Sequence, residues 1–167
     1  MPMSAFRLQR NQGGLTLLEL LITLVILAVL ASAVLPMAEV TIKRTKEIEL
    51  RRSLRQIRTA IDEYKADYDK AVLEKKINAT LGETGYPKEL KALVDGEEWG
   101  GLYSPKRRYL RAIPKDPFAP ADLPAEENWA LRAYADDPGD SWSGGDIYDV
   151  HSQSDGIALD GTPYNEW

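Results

Sequence analysis

The 167-residue chain has no cysteine and a single histidine, His151. Without cysteine there is neither a disulfide framework nor a thiolate metal site, so stability must come from packing or from another staple. One histidine restricts general acid–base chemistry, because imidazole is the commonest proton carrier near neutral pH. There is no glycine-rich phosphate loop, no histidine pair at metal-ligand spacing and no nucleophile elbow. Net positive charge is also missing. The formal charge is −5, and loss of the first fourteen residues, with Arg7 and Arg10 but no acid, would take it to −7. That balance argues against nucleic acid as a partner, since phosphate binding draws on clustered Lys and Arg.

The chain does have one long apolar block. Residues 15–38 read LTLLELLITLVILAVLASAVLPMA, with Glu19 the only charge. As a helix these residues span about 36 Å, enough to cross a bilayer. Three readings meet here: a plain membrane anchor, a secretory signal cut near Ala31-Ser32-Ala33, and a leader whose removal leaves the apolar run on the mature chain. Glu19 separates them. A lone carboxylate in hydrocarbon is costly, and neither an anchor nor a signal has a use for it.

The stretch Gly14-Leu15-Thr16-Leu17-Leu18-Glu19-Leu20 resembles the prepilin peptidase site of type IV pilins and type II secretion pseudopilins. Their usual order is Gly, Phe, Thr, Leu, Ile, Glu, Leu; Leu15 and Leu18 depart from it and stay apolar. The resemblance implies cleavage between Gly14 and Leu15, methylation of the new Leu15 amine, and an assembly role for Glu19. It also places Pro36 where that family carries a proline, and a proline there should kink or loosen the helix. After cleavage the Leu15 amine and Glu19 of a neighbouring copy would compensate each other. Either one unpaired in hydrocarbon would cost ~3–5 kcal/mol.

The flanking charges run against this orientation. The leader offers two arginines, whereas Lys43, Arg44, Lys46, Arg51, Arg52, Arg55 and Arg58 follow the apolar run. The positive-inside rule would keep that second flank in the cytoplasm. The cleavage motif is the more specific signal.

Residues 39 to about 80 hold no Gly or Pro. Leu50, Leu54, Ile57, Ile61, Tyr64 and Tyr68 recur at spacings of four and three, one apolar stripe on a helix. The mixed charges on its other sides read as a solvated face. Gly82 and Gly85-Tyr86-Pro87 end it, and a short helix is expected over 88–94. Strands are expected over 129–134 and 146–151. The fold class is therefore α+β, a long N-terminal helix packed on a small antiparallel sheet. The expected organisation is leader 1–14, membrane and assembly helix 15–38, amphipathic helix 39–81 and head 82–167.

Residues 109–118, Tyr-Leu followed by Pro-Lys-Asp-Pro-Phe, resemble a segment of the major pseudopilin of type II secretion systems, with Phe118 for its Trp and Ala119 for its Gly. Residues 116–167 carry twelve acids and one base, Arg132. In the major pseudopilins the C-terminal loop binds calcium, and Ser152-Gln153-Ser154-Asp155-Gly156 with Asp160-Gly161 resembles it in shortened form. That resemblance implies Ser152, Asp155 and Asp160 as ligands. Two plain Asp-Gly turns fit the same residues. Asp149, His151 and Ser152 sit close in sequence, but on a strand 152 points away from the other two, so no triad is expected.

The expectation is a non-enzymatic shaft subunit of a homo-oligomeric pseudopilus. Its partners would be prepilin peptidase, other pseudopilins and an inner-membrane platform driven by an ATPase. It would span the inner membrane once with its head in the periplasm. A surface type IV pilin, a minor tip pseudopilin and an anchored enzyme or binding module are the alternatives.

Overall fold

A computed structural model describes residues 14, 16–80 and 82–167, apart from the side chains of Ala33, Leu35 and Pro36. Helix α1 (Leu17–Leu73) is followed by α2 (Lys91–Asp95), β1 (Trp129–Arg132), β2 (Asp149–Ser152) and a 3-10 turn at Tyr164–Glu166. The chain divides into two units, Met1–Thr41 and Ile42–Trp167.

In the first unit every described side chain from Leu17 to Thr41 is exposed. The helix is long and apolar enough to cross a membrane. Its few hydroxyls bond its own backbone: Thr23 Oγ1 donates to the Leu20 carbonyl at 2.9 Å, Ser32 Oγ to Val29 at 2.7 Å and Thr41 Oγ1 to Met37 at 2.9 Å. Polar groups satisfied in this way can sit in hydrocarbon at little cost. The helix continues through residue 36. The Pro36 ring, expected to kink it, lies outside the described side chains.

The second unit is built on the apolar stripe of α1. Leu50, Leu54, Ile57 and Ile61 are buried against Leu90, Leu93, Leu110, Trp129, Ile147, Val150 and Tyr164. Tyr64 packs at the edge of this cluster, edge-on to Trp99 and Tyr109. Each aliphatic side chain so buried contributes roughly 1.5–3 kcal/mol. β1 and β2 pair antiparallel, with Trp129 opposite Ser152 and Arg132 opposite Asp149. This two-stranded sheet with the long helix is the α+β arrangement expected.

Several boundaries differ from the sequence-based reading, and β1, expected to reach Tyr134, ends at Arg132. α1 stops at Leu73, where Lys75 takes a left-handed conformation (φ 56°) and the Lys76 N–H returns to the Ala71 carbonyl at 2.8 Å. The reason is tertiary: Gly100 packs on this turn so closely that a Cβ there would clash with the Lys76 carbonyl oxygen. α2 starts at Lys91 rather than Lys88. β2 starts at Asp149 rather than Asp146, because the Ile147 N–H is already given to the Pro87 carbonyl at 2.8 Å.

Candidate functional site

Two places hold the residues singled out above. At the start of α1, Thr16 Oγ1 accepts the Glu19 backbone N–H at 3.2 Å. Thr16 is the cap and Glu19 the third helical residue, the spacing of a capping box. The local chemistry therefore fixes where the helix begins and sets the one carboxylate beside its positive end. Gly14 has nothing within 4 Å of a Cβ built on it. Leu15, the predicted site of cleavage and methylation, lies outside the described residues.

The second place is the C-terminal loop. Glu47 Oε1 accepts both the Leu159 N–H (2.8 Å) and the Tyr164 hydroxyl (2.9 Å). Tyr164 is buried and stacks on Phe118 with ring centroids 4.1 Å apart. Burial, reinforced by its bond to the Glu47 carboxylate, pushes the Tyr164 phenol up to about 12. The Arg51 guanidinium reaches Asp160 Oδ2 at 3.0 Å, and the other Asp160 oxygen accepts the Thr162 N–H (3.0 Å) and hydroxyl (2.6 Å). These bonds, first those from Thr162, hold the Asp160 carboxyl below its usual range.

Two of the three residues named as calcium ligands already have partners in this fold. Ser152 is buried and its hydroxyl donates to Asp116 Oδ2 at 2.5 Å. Asp160 is engaged by Arg51 and Thr162 as above, and Asp155 is exposed. Calcium takes six to eight oxygens. Among the described residues no group of three or more His, Cys, Asp or Glu side chains is placed to hold a metal. As folded, the donor set does not fit the ion: one carboxylate already faces a guanidinium, and the hydroxyl points into the core.

Asp149, His151 and Ser152 all lie on β2. Asp149 is clamped between Arg58 (2.7 Å) and Arg132 (2.8 Å). Ser152 is buried while His151 is half-buried, and burial lowers the imidazole pKa, with Arg132 and Arg58 adding to the effect and Asp149 opposing it.

Sequence reasoning missed three buried carboxylates, one of which, Asp146, accepts the Thr84 hydroxyl and the Tyr134 N–H. Asp67, 5% exposed, accepts the hydroxyls of Tyr103 (2.8 Å) and Tyr109 (2.7 Å) and faces Arg107 at 3.0 Å. Asp116, 4% exposed, accepts the Phe118 N–H at 2.7 Å besides the Ser152 hydroxyl. Asp67 sits among other charges on a helix that reads as solvated. For Asp116 the Pro-Lys-Asp-Pro context was the available signal.

An exposed apolar helix, capped at its start beside a carboxylate, in a chain whose second unit has its own core and a small antiparallel sheet, is a pilin-like arrangement. Residues 9–35 match the prokaryotic N-terminal methylation motif. Over 111 residues, covering 66% of this chain and 70% of the other, the sequence is 26% identical to the type II secretion system core protein G of Klebsiella michiganensis. No solved structure matches the chain. In this N-terminal motif and over much of its length the chain is thus similar to type IV pilin-like proteins, the type II secretion core protein among them.

Proposed function

We propose that this chain is a structural shaft subunit of a type II secretion pseudopilus. It is cut by prepilin peptidase after Gly14, methylated at Leu15 and assembled helix-to-helix. The observation that carries the reading is Glu19, a carboxylate at the start of a helix whose described side chains up to Thr41 are all exposed. Such a surface needs lipid or other helices around it, and such a charge needs a cation. The Leu15 amine of a neighbouring copy supplies that cation only after cleavage. The pairing then sets the axial register between subunits.

In this reading residues 15–38 of successive copies form the filament core. The anchor spans the inner membrane once and the head faces the periplasm. Prepilin peptidase, other pseudopilins and an ATPase-driven inner-membrane platform are the partners. The platform adds subunits, and the growing filament pushes folded cargo outward. The methylation motif alone fits a surface pilus subunit equally well. Similarity to core protein G across 111 residues favours the secretion filament.

Mass spectrometry of the mature N-terminus tests the processing step. N-methyl-leucine at position 15 is expected, and a mature chain starting at Val34 would overturn the reading. Glu19→Ala should leave membrane insertion intact and lower filament yield at least ~100-fold, the equivalent of ~3 kcal/mol for an unpaired charge. Filaments at the normal level from that variant would sink the pairing mechanism.

A further inference from the structure

Seven basic residues lie between Lys43 and Arg58, and nothing in their order distinguishes Arg51. The fold does. The Arg51 guanidinium donates to Asp160 at 3.0 Å and lies over the Trp167 ring, 3.9 Å from its centroid. Cation–π attraction reaches to about 6 Å, so this contact is close. Trp167 in turn donates its indole N–H to Thr162 Oγ1 at 2.7 Å, and Thr162 gives its own N–H and hydroxyl to Asp160. The guanidinium therefore closes a ring of contacts that passes through Asp160, Thr162 and Trp167 and returns to its own face.

Two other residues of α1 hold the same loop. Glu47, one turn before Arg51, accepts the Leu159 N–H and the Tyr164 hydroxyl. Arg58, two turns after it, donates to the Trp167 carbonyl at 2.7 Å. Steps of four and seven put the three side chains on one face of the helix. A bound cation in an oxygen-lined loop neutralises carboxylates and joins segments distant in sequence. Here a guanidinium does both, joining residues 109 apart.

We propose that Arg51 is the resident cation of the C-terminal loop, so that residues 155–167 are held to α1 without a divalent metal. Asp160, the carboxylate that would begin a calcium site, has one oxygen facing Arg51 and the other accepting both Thr162 donors. Calcium would have to displace the guanidinium to enter. The proposal concerns the head alone and does not depend on filament assembly, so failure of the pseudopilus reading leaves it standing.

The test uses the full-length protein in detergent micelles, melted with chelator or with calcium at about 1 mM, the range in which extracellular calcium modules bind. The expected wild-type shift is under about 1 °C. Arg51→Met removes the charge and keeps an apolar contact for Trp167. It should lower the melting temperature by about 3 °C and speed amide exchange across residues 155–167 at least about tenfold. Asp160→Asn combined with Arg51→Met should lose less than the two single changes added together. A calcium-induced rise of several degrees in the wild type that Asp160→Asn abolishes would overturn the proposal. Unchanged exchange in Arg51→Met, or strictly additive losses in the double variant, would overturn it too. Should Arg51→Met not fold, the wild-type comparison of calcium against chelator still decides.

Discussion

The two units of this chain treat apolar surface in opposite ways. From Leu17 to Thr41 the helix exposes its described Leu, Ile and Val side chains, Leu17 by 78% and Val29 by 64%. In the second unit the same residue types, Leu50, Leu54, Ile57 and Ile61, are at most 3% exposed. Composition does not separate the two cases; periodicity does. The first unit is apolar on all sides, which leaves the helix needing an external partner. The second confines its apolar residues to one stripe, which buries itself within the unit. One helix thus carries two designs, and each predicts a different response to the same substitution.

The largest contrast is made by trimming an aliphatic side chain in each unit. Ile57→Ala should destabilise the head by about 3 kcal/mol through lost transfer energy and the cavity left behind. Val25→Ala, at a site already exposed, should change head stability by less than about 0.5 kcal/mol. Thermal melting of both variants in micelles checks this. A Val25→Ala loss as large as that of Ile57→Ala would break the comparison.

A smaller effect separates the buried polar groups of the head from the exposed charges around them. Asp67→Ala leaves the hydroxyls of Tyr103 and Tyr109 and the Arg107 guanidinium short of an acceptor. Bonds to a charged group are worth more than neutral ones, so a loss of about 2 kcal/mol is expected. Arg107 keeps Glu63 at 2.8 Å, which limits the damage. Desolvation also pushes the Tyr109 phenol above its ordinary value, with the Asp67 hydrogen bond opposing ionisation further and the Trp99 indole working the other way. Spectrophotometric titration of Asp67→Ala should show a tyrosine that ionises more readily than in the wild type.

These residues also show where the sequence was legible. The apolar run and the stripe were readable because each is set by neighbours within one or two turns. The first residue of β1 was readable because Trp129 opens a short apolar run after a loop rich in Pro and acidic residues. The charges on α1 were not. Glu47, Arg51, Arg58 and Asp67 read as a solvated face, yet each binds a residue at least 36 positions away. No local period records such partners. The same limit explains the C-terminal loop, where likeness to a calcium loop concealed that its carboxylate meets a guanidinium. It also bears on the basic flank after the apolar run. Arg51 and Arg58 are paired with Asp160 and Asp149 once the head is folded, so the flank is less positive than a residue count implies.

The smallest expected effect is a pH dependence confined to the second unit. His151 is the chain's one histidine, so a slope of stability between about pH 7.5 and about pH 5.5 belongs chiefly to it, carboxylates titrating lower. Burial lowers its folded pKa below the ordinary 6.5, helped by the positive charges of Arg132 and Arg58 and opposed by Asp149. The unfolded chain then binds the proton more readily than the folded one. Stability should therefore be constant above about pH 7.5 and decline as pH falls through 6.5, levelling off only below the folded pKa. His151→Gln keeps much of the volume and removes the titration, so its melting temperature should be flatter over that interval. Because the wild-type imidazole is neutral at high pH, the two proteins should differ least there and diverge on acidification. A wild-type head more stable at about pH 5.5 than at about pH 7.5 would reverse the sign and place His151 nearer Asp149 than the two arginines allow.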